Sequence, residues 1–396
     1  MSQERATFEL PRSELARRRA LLDSIMVESG LDALIVQGAN NRTGLGGHFM
    51  WVSGISAAGS YPQTLIVPRE GDMTIVRHGA FGEVRPLDPA SDDSCGIGRH
   101  LGTPTFPAVA YTLRYDAELV AEELARLGAR KVGLIAPGTA YSGFMEVLIE
   151  LLPLRPVDVT DAVDEAKALK SDVEIAMLDS AAALQDEVVR RIGAHIRPGM
   201  RDFEVMAEAQ RLAELGGAEG GVFLGSSFAP GDGSVPVRHR SHQNRIIQEN
   251  DVFFFLAENS GPGGQYVHLS RYFCLGQPPA ELVDLFGLAL ESQRETVDAL
   301  GAGGSAAEIF AMHNAHMRAK GFPEEKRLHA HGQGYDLVER PLIRNDEAMD
   351  VRAGMNIGVH PFFVSPRVFA SVCDNFLLTN GGARRLHQCP QEIFAL

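Results

Sequence analysis

Histidine and cysteine carry most of the chemistry available to this chain. Of its 13 histidines, His239, His268, His331 and His360 lie in the C-terminal half, and Cys373 stands beside Asp374 further on. A neutral imidazole titrates close to working pH and can accept and return a proton within one catalytic cycle. The same ring, joined by a thiolate or carboxylate, suits zinc or ferrous iron rather than magnesium or manganese. Separations this wide leave both uses open, because only a fold can bring such residues together.

The elements that must position them read as an α/β chain. At 396 residues and 45% hydrophobic content, the chain is long enough for two domains with full cores. From Pro11 to Val159, helical patterns (13–30, 116–127, 143–152) alternate with short apolar strands such as LDALIVQG, TLIVP, MTIV and KVGLIA. Ser171, followed three residues on by Glu174, is a capping signature that opens a helix to Ile196. Arg197-Pro198-Gly199 stops that helix, and Asp202 is expected to cap the next, over 203–215. Strands are expected at 221–224, 251–257 and 266–274, the last two joined by the turn GPGGQ at 261–265. Two further helices (281–300 and 306–320) and a final set of strands follow. This organisation predicts an N-terminal domain over 1–160 and a C-terminal domain over 161–396.

A net charge of −14 argues against a nucleic-acid surface and against anionic lipid. The apolar runs are too short to span a bilayer, the first residues lack an apolar signal segment, and the four cysteines show no disulfide spacing. A cytoplasmic protein is expected.

Several segments carry a family resemblance. ALKSDVE (168–174) is similar to a "K-S-x-x-E" opening, and HIRPGMRDFEV (195–205) to an "i-x-P-G-x-t-e" helix link. HRSHQNRIIQEND (239–251) resembles the creatinase stretch that carries its catalytic histidine. HLSRYF (268–273) resembles "D-I-T-R-T-F", and HGQGYDLVERP (331–341) resembles "H-G-I-G-L-x-x-H-E-x-P". GMNIGVHP (354–361) and VCDNFLLTNGG (372–382) resemble "G-M-V-x-x-x-E-P" and "I-E-D-x-x-L-V-T-x-x-G". Together they resemble the creatinase, prolidase and aminopeptidase P group, the M24 family. The resemblance implies a small N-terminal α/β domain followed by a pita-bread catalytic domain, in a homodimer.

Residue by residue, the resemblance turns into a series of departures. The first metal-binding aspartate of the family falls on Leu256, with Glu258 two residues on, and the second falls on His268. The family histidine is kept as His331, while its two glutamates become His360 and Cys373, the latter next to Asp374. A one-residue slip would place Glu258 or Asp374 in the site instead. Bridging two hard ions requires shared carboxylates, so the usual dinuclear peptidase centre is not expected. The preferred expectation is a metal-free, creatinase-like hydrolase or lyase cleaving a C–N or related bond of a small polar metabolite. In that reading His239 is the general base, His331 and His360 orient substrate or water, and Glu258 balances a cationic group. Arg271 and Arg340 are candidates to hold a carboxylate, and His242 and Trp51 are further candidates for substrate contact. Trp51, with His48, belongs to the glycine-rich segment 40–54. The alternative is one zinc or iron held by His268, His331, His360 and Cys373 or Asp374. A residual Xaa-Pro peptidase and a catalytically inert binding protein are the remaining classes. His329 is expected to be structural, as is Arg271 if it pairs with an acid in its own sheet.

Overall fold

A computed structural model describes residues 5–38, 47–55, 61–91, 94–232 and 235–396. Residues 40–46 of the glycine-rich segment therefore lie outside the described residues. The chain divides into two compact units, Glu9–Lys167 and Ala168–Leu396, and the N-terminal strand of chain up to Phe8 clusters with the second. The division falls a few residues after the expected 160/161, because the helix Thr160–Ala168 belongs almost wholly to the first unit.

In the first unit a seven-stranded mixed sheet contains Ala33–Gly38, antiparallel to the central strand Gln63–Pro68 and parallel to Val132–Ile135. The helix Arg12–Ser29 ends at Gly30, whose φ of 63° is a left-handed conformation that glycine adopts without a Cβ clash. Trp51, expected at a substrate cleft, is instead fully buried in the short helix Gly47–Ser53. The buried guanidinium of Arg18 lies 5.7 Å from its ring centroid and donates to its carbonyl oxygen. The Trp51 side chain is thus part of the core of this unit. His48, on the same helix, pairs through Nε2 with Asp164 at 2.7 Å.

A second polar group buried in this unit sets a pH dependence. Asp116 accepts a hydrogen bond of 2.6 Å from Thr105, and burial pushes its carboxyl up to about 6. A carboxyl whose folded pKa is raised favours folding when protonated. Stability is therefore lost as pH rises from about 4 to about 6 and stays lower above that. Asp116→Asn keeps an acceptor for Thr105 and removes the charge. It is expected to be more stable than the parent at pH 8, by up to about 3 kcal/mol, and nearly equal at pH 4. Urea unfolding at the two pH values measures this, and an equal offset at both would exclude the ionisation as its cause.

The second unit opens with the helix Asp172–His195, where Ser171 and Glu174 form the expected capping box. The next helix, Asp202–Leu215, differs in detail from the expectation. Its cap position is Arg201, while the Asp202 carboxylate accepts from the backbone and hydroxyl of Ser227. The run VFFFLA forms a strand, Val252–Ser260, buried on both faces. Phe253, Phe255 and Ala257 pack against the two opening helices, whereas Phe254 and Leu256 pack with Tyr272, Leu285 and Phe286. Removing each such ring from water contributes about 1.5–3 kcal/mol. The GPGGQ turn joins this strand to its antiparallel partner Tyr266–Cys274, in a four-stranded sheet.

A five-stranded sheet follows, ordered Glu339–Leu342, Ala330–Gly332, Asn356–Val359, Asp374–Thr379, Gly382–Arg385. Leu300, Ile309 and Phe310, from the helices Ala280–Ala302 and Ala306–Ala319, share its core with Ile357, Val359 and Phe376. The two sheets meet where Ser270 N–H donates to the Cys373 carbonyl and His268 N–H donates to Asn375 Oδ1, at 3.2 and 2.7 Å. Arg271 and Asp374 lock the joint as a fully buried ion pair at 2.8 Å. Among the described residues, no helix is long and apolar enough to cross a membrane.

Candidate metal centre

Three strands and one strand end bring the site together. His268 lies on Tyr266–Cys274 directly opposite Glu258, and Ser270 lies opposite Leu256, so all four side chains emerge on one face. His331 sits on Ala330–Gly332, opposite Gly358 of Asn356–Val359, and His360 follows that strand. The junction of the sheets turns these positions toward one another. The three imidazoles form a nearly equilateral triangle, with ring centroids 5.2, 5.3 and 5.2 Å apart. One nitrogen from each lies within 4.8 Å of the others.

Hydrogen bonding and burial prepare these rings as ligands. His331 Nδ1 is 2.8 Å from the Gly332 carbonyl, which can only accept, so Nδ1 carries the proton and the lone pair is on Nε2. His268 is buried, and neither of its ring nitrogens has a hydrogen-bond partner. Two orphaned nitrogens in a protein interior are costly unless a ligand satisfies one of them. Burial holds all three rings neutral, taking His331 down to about 4 and His360 to about 3, with His268 also well below the ordinary histidine value. The His360 N–H donates to the His329 carbonyl at 2.8 Å. His329 in turn stacks on His313 at 3.7 Å and meets Thr296 at 3.2 Å, which makes it a support for His331 and His360.

The other expected site residues are placed differently. The Cys373 thiol donates to the His268 carbonyl, 3.7 Å away, burial pushes it well above the ordinary thiol range, and it lies outside the imidazole cluster. Asp374 is committed to Arg271. This pairing also removes Arg271 as a carboxylate holder, since its remaining N–H groups donate to the Ser270, Pro390 and Cys389 carbonyls. Arg340 is likewise held by Glu347, with Nε 3.1 Å from Oε1. His239 and His242 lie on the surface, His239 at 3.1 Å from Ser241, and neither joins the imidazole triangle. Leu256 remains in the apolar cluster, while Glu258 faces the site and burial pushes its carboxyl up to about 7. Glu258 stands directly opposite His268 across the hairpin, on the same face as Leu256.

Two residues of the site escaped the sequence reading. A Cβ on Gly358 would fall 2.3 Å from His268 Nε2, so the imidazole occupies the space a side chain would need. Gly358→Ala is expected to displace His268 and weaken metal binding by roughly 10–100-fold, the range typical for residues that orient ligands. Competition with a chromophoric chelator measures this, and unchanged affinity would show that the ring position is immaterial. The second, Arg327, is an exposed residue four positions before His331 whose charge, after burial itself, acts on Glu258. Neither residue type signals a site by itself: glycine is common in strands' turns, and RLHAH reads as an ordinary polar stretch.

One further cluster, Glu291, Glu295 and His316, also has ligand-type atoms close together. Lys320 bonds both Glu291 oxygens and His316 pairs with Glu295, so it is an ion-pair network on the helix surface.

The fold and the sheet-junction site define a pita-bread protein with a metal-type centre. Residues 176–385, more than half of the chain, match metallopeptidase family M24, and the chain belongs to that family. Among curated relatives, the "Uncharacterized peptidase YqhT" of Bacillus subtilis is 22% identical over 281 residues, covering 70% of this chain and 79% of its own. The "Ectoine hydrolase" of Halomonas elongata is 25% identical over 261 residues, covering 63% and 65%. The solved Xaa-Pro dipeptidase from Bacillus anthracis superposes with a TM-score of 0.78 at 19% identity, over 96% of this chain and all of that one. The chain is thus a hydrolase-family member of pita-bread fold.

Divalent metals are the expected cofactors of such a family, and the side chains present fit one ion better than two. The positions that the resemblance assigns to ligands, Leu256, His268, His360 and Cys373, carry no carboxylate, and three clustered imidazoles, one of them with both ring nitrogens orphaned, are the donor set of a single borderline-soft ion.

Proposed function

We propose that the chain is a mononuclear metal-dependent hydrolase that acts on a C–N or related bond of a small polar metabolite rather than on Xaa-Pro peptides. The observation that carries this reading is the triangle of His268, His331 and His360, with both nitrogens of His268 buried and unpartnered. The metal-free alternative with His239 as base is disfavoured by the exposed position of that histidine, outside the triangle. Zinc or ferrous iron held by three imidazoles would supply a Lewis acid with an open position for water or a substrate oxygen. His331 keeps its lone pair directed by the Gly332 carbonyl, and His329 supports His360 through the backbone. Glu258, on the same face as His268, can take up and return the proton that bond cleavage moves. The buried Cys373 thiol and the Arg271–Asp374 pair hold the strand junction and exchange no proton with substrate.

Elemental analysis of protein purified without added metal, followed by titration with zinc and with iron under reducing conditions, tests the reading. One ion per chain is expected, with no hydrolysis of proline-containing dipeptides. Two ions per chain, or none under either metal, would overturn it.

A further inference from the structure

We infer that Ser270 is a positioning residue of the metal centre, its hydroxyl accepting the ring N–H that His268 keeps when its other nitrogen holds the ion. This rests on the mononuclear reading above and deepens it. A neutral imidazole has one lone pair and one N–H. An ion takes the lone pair, and the N–H of a ligating histidine is as a rule taken by an acceptor that fixes the tautomer and orientation of the ring. His331 already has that acceptor in the Gly332 carbonyl, at 2.8 Å. His268 has none, since neither of its ring nitrogens is hydrogen-bonded. Ser270 follows His268 by two residues on the strand Tyr266–Cys274, so both side chains stand on one face, with Cβ atoms about 6.6 Å apart. The Ser270 hydroxyl is buried and likewise has no hydrogen-bond partner.

The polar groups that border this stretch of strand are committed elsewhere. Asn375 Oδ1 accepts from the backbone N–H of His268 at 2.7 Å, and the His268 carbonyl accepts from the Cys373 thiol. The Cys373 carbonyl accepts from the Ser270 N–H at 3.2 Å and from Arg271 at 3.1 Å, while Arg271 also donates to the Ser270 carbonyl at 2.7 Å. These contacts hold the backbone and leave both side chains free to turn about their own bonds. Across the hairpin Ser270 faces Leu256, which has no polar atom and packs with Phe254 and Tyr272. The Tyr272 hydroxyl donates to the Phe369 carbonyl at 2.9 Å. Glu258, opposite His268, is the other acceptor on this face, but it is partly open to solvent, so water can satisfy it. Water does not reach the Ser270 hydroxyl. A bond from the ring to Ser270 therefore matches two buried orphans at once, whereas a bond to Glu258 leaves the hydroxyl unmatched. Rotation of the hydroxyl about χ1 and of the ring about χ2 closes the gap.

The experiment compares the full-length parent with Ser270→Ala, measuring affinity for zinc and for ferrous iron by chelator competition and the unfolding of the metal-free proteins in urea. Ser270→Ala is expected to lose roughly 10–100-fold in metal affinity, the usual cost of removing the partner of a ligating ring. Its metal-free form should be at least as stable as the parent's, because the hydroxyl it removes has no partner there. A merely structural hydroxyl would give the reverse pattern, a less stable metal-free protein with unchanged metal affinity. A crystal structure of the zinc-loaded parent should place the Ser270 oxygen about 2.7–3.2 Å from the His268 nitrogen that does not face the ion. Unchanged affinity in Ser270→Ala, or a His268 N–H turned toward Glu258 in that crystal, would overturn the inference and leave the metal centre standing. A parent that binds neither metal would instead overturn the mononuclear reading, and the role of Ser270 with it.

Discussion

His268→Ala is expected to leave the purified protein without a bound transition metal while the chain remains folded. His331 and His360 would then be the only imidazoles of the centre, and two neutral ligands hold zinc or iron far less tightly than three. The loss should exceed the roughly 10–100-fold that residues orienting a ligand typically cost. Folding should survive, because the ring makes no hydrogen bond and the strand is held by its backbone ladder and by Asn375. In the absence of metal the variant can even gain stability, since two unsatisfied buried nitrogens disappear. Metal analysis alongside denaturant unfolding separates these effects. A variant that keeps its full metal content would place the centre elsewhere and end the mononuclear reading.

Glu258→Gln is expected to lower kcat by roughly 10²–10⁴-fold, the usual contribution of a positioned acid or base. Its metal content should stay the same, because the carboxyl is opposite His268 and outside the three-imidazole set. The amide matches the carboxyl in size, so packing is preserved while the exchangeable proton is lost. Turnover of a substrate found by metabolite screening is the readout, with KM expected to change much less than kcat. Full activity in this variant would remove Glu258 from the chemistry, and loss of metal would make it a ligand instead.

The apolar patterning explains why so much of the architecture was legible beforehand. Helices such as Asp172–His195 announce themselves through a local capping box, and the hairpin around GPGGQ through its turn residues, because both are decided by interactions a few residues apart. The seven family-like segments likewise carry the pita-bread fold in residues that build its elements and turns. Trp51 is an instructive failure: a lone tryptophan in a glycine-rich stretch looks like a ligand contact, yet Arg18, 33 residues away, turns its environment into core. Arg271 and Arg340 failed for a similar reason, since an arginine is free or committed according to a carboxylate that only the fold supplies.

From sequence alone came the identity of the replaced ligands, because side-chain type limits chemistry: Leu256 and His268 cannot bridge two hard ions in any geometry that aspartates would. Which replacements share a centre was decided by tertiary structure. The register of Glu258 against His268, the meeting of two sheets at Ser270 and Cys373, and the space left by Gly358 gather three imidazoles. The same contacts turn Cys373 toward a carbonyl and bind Asp374 to Arg271. Such outcomes depend on pairings between strands about 100 residues apart, which no local pattern of residues encodes.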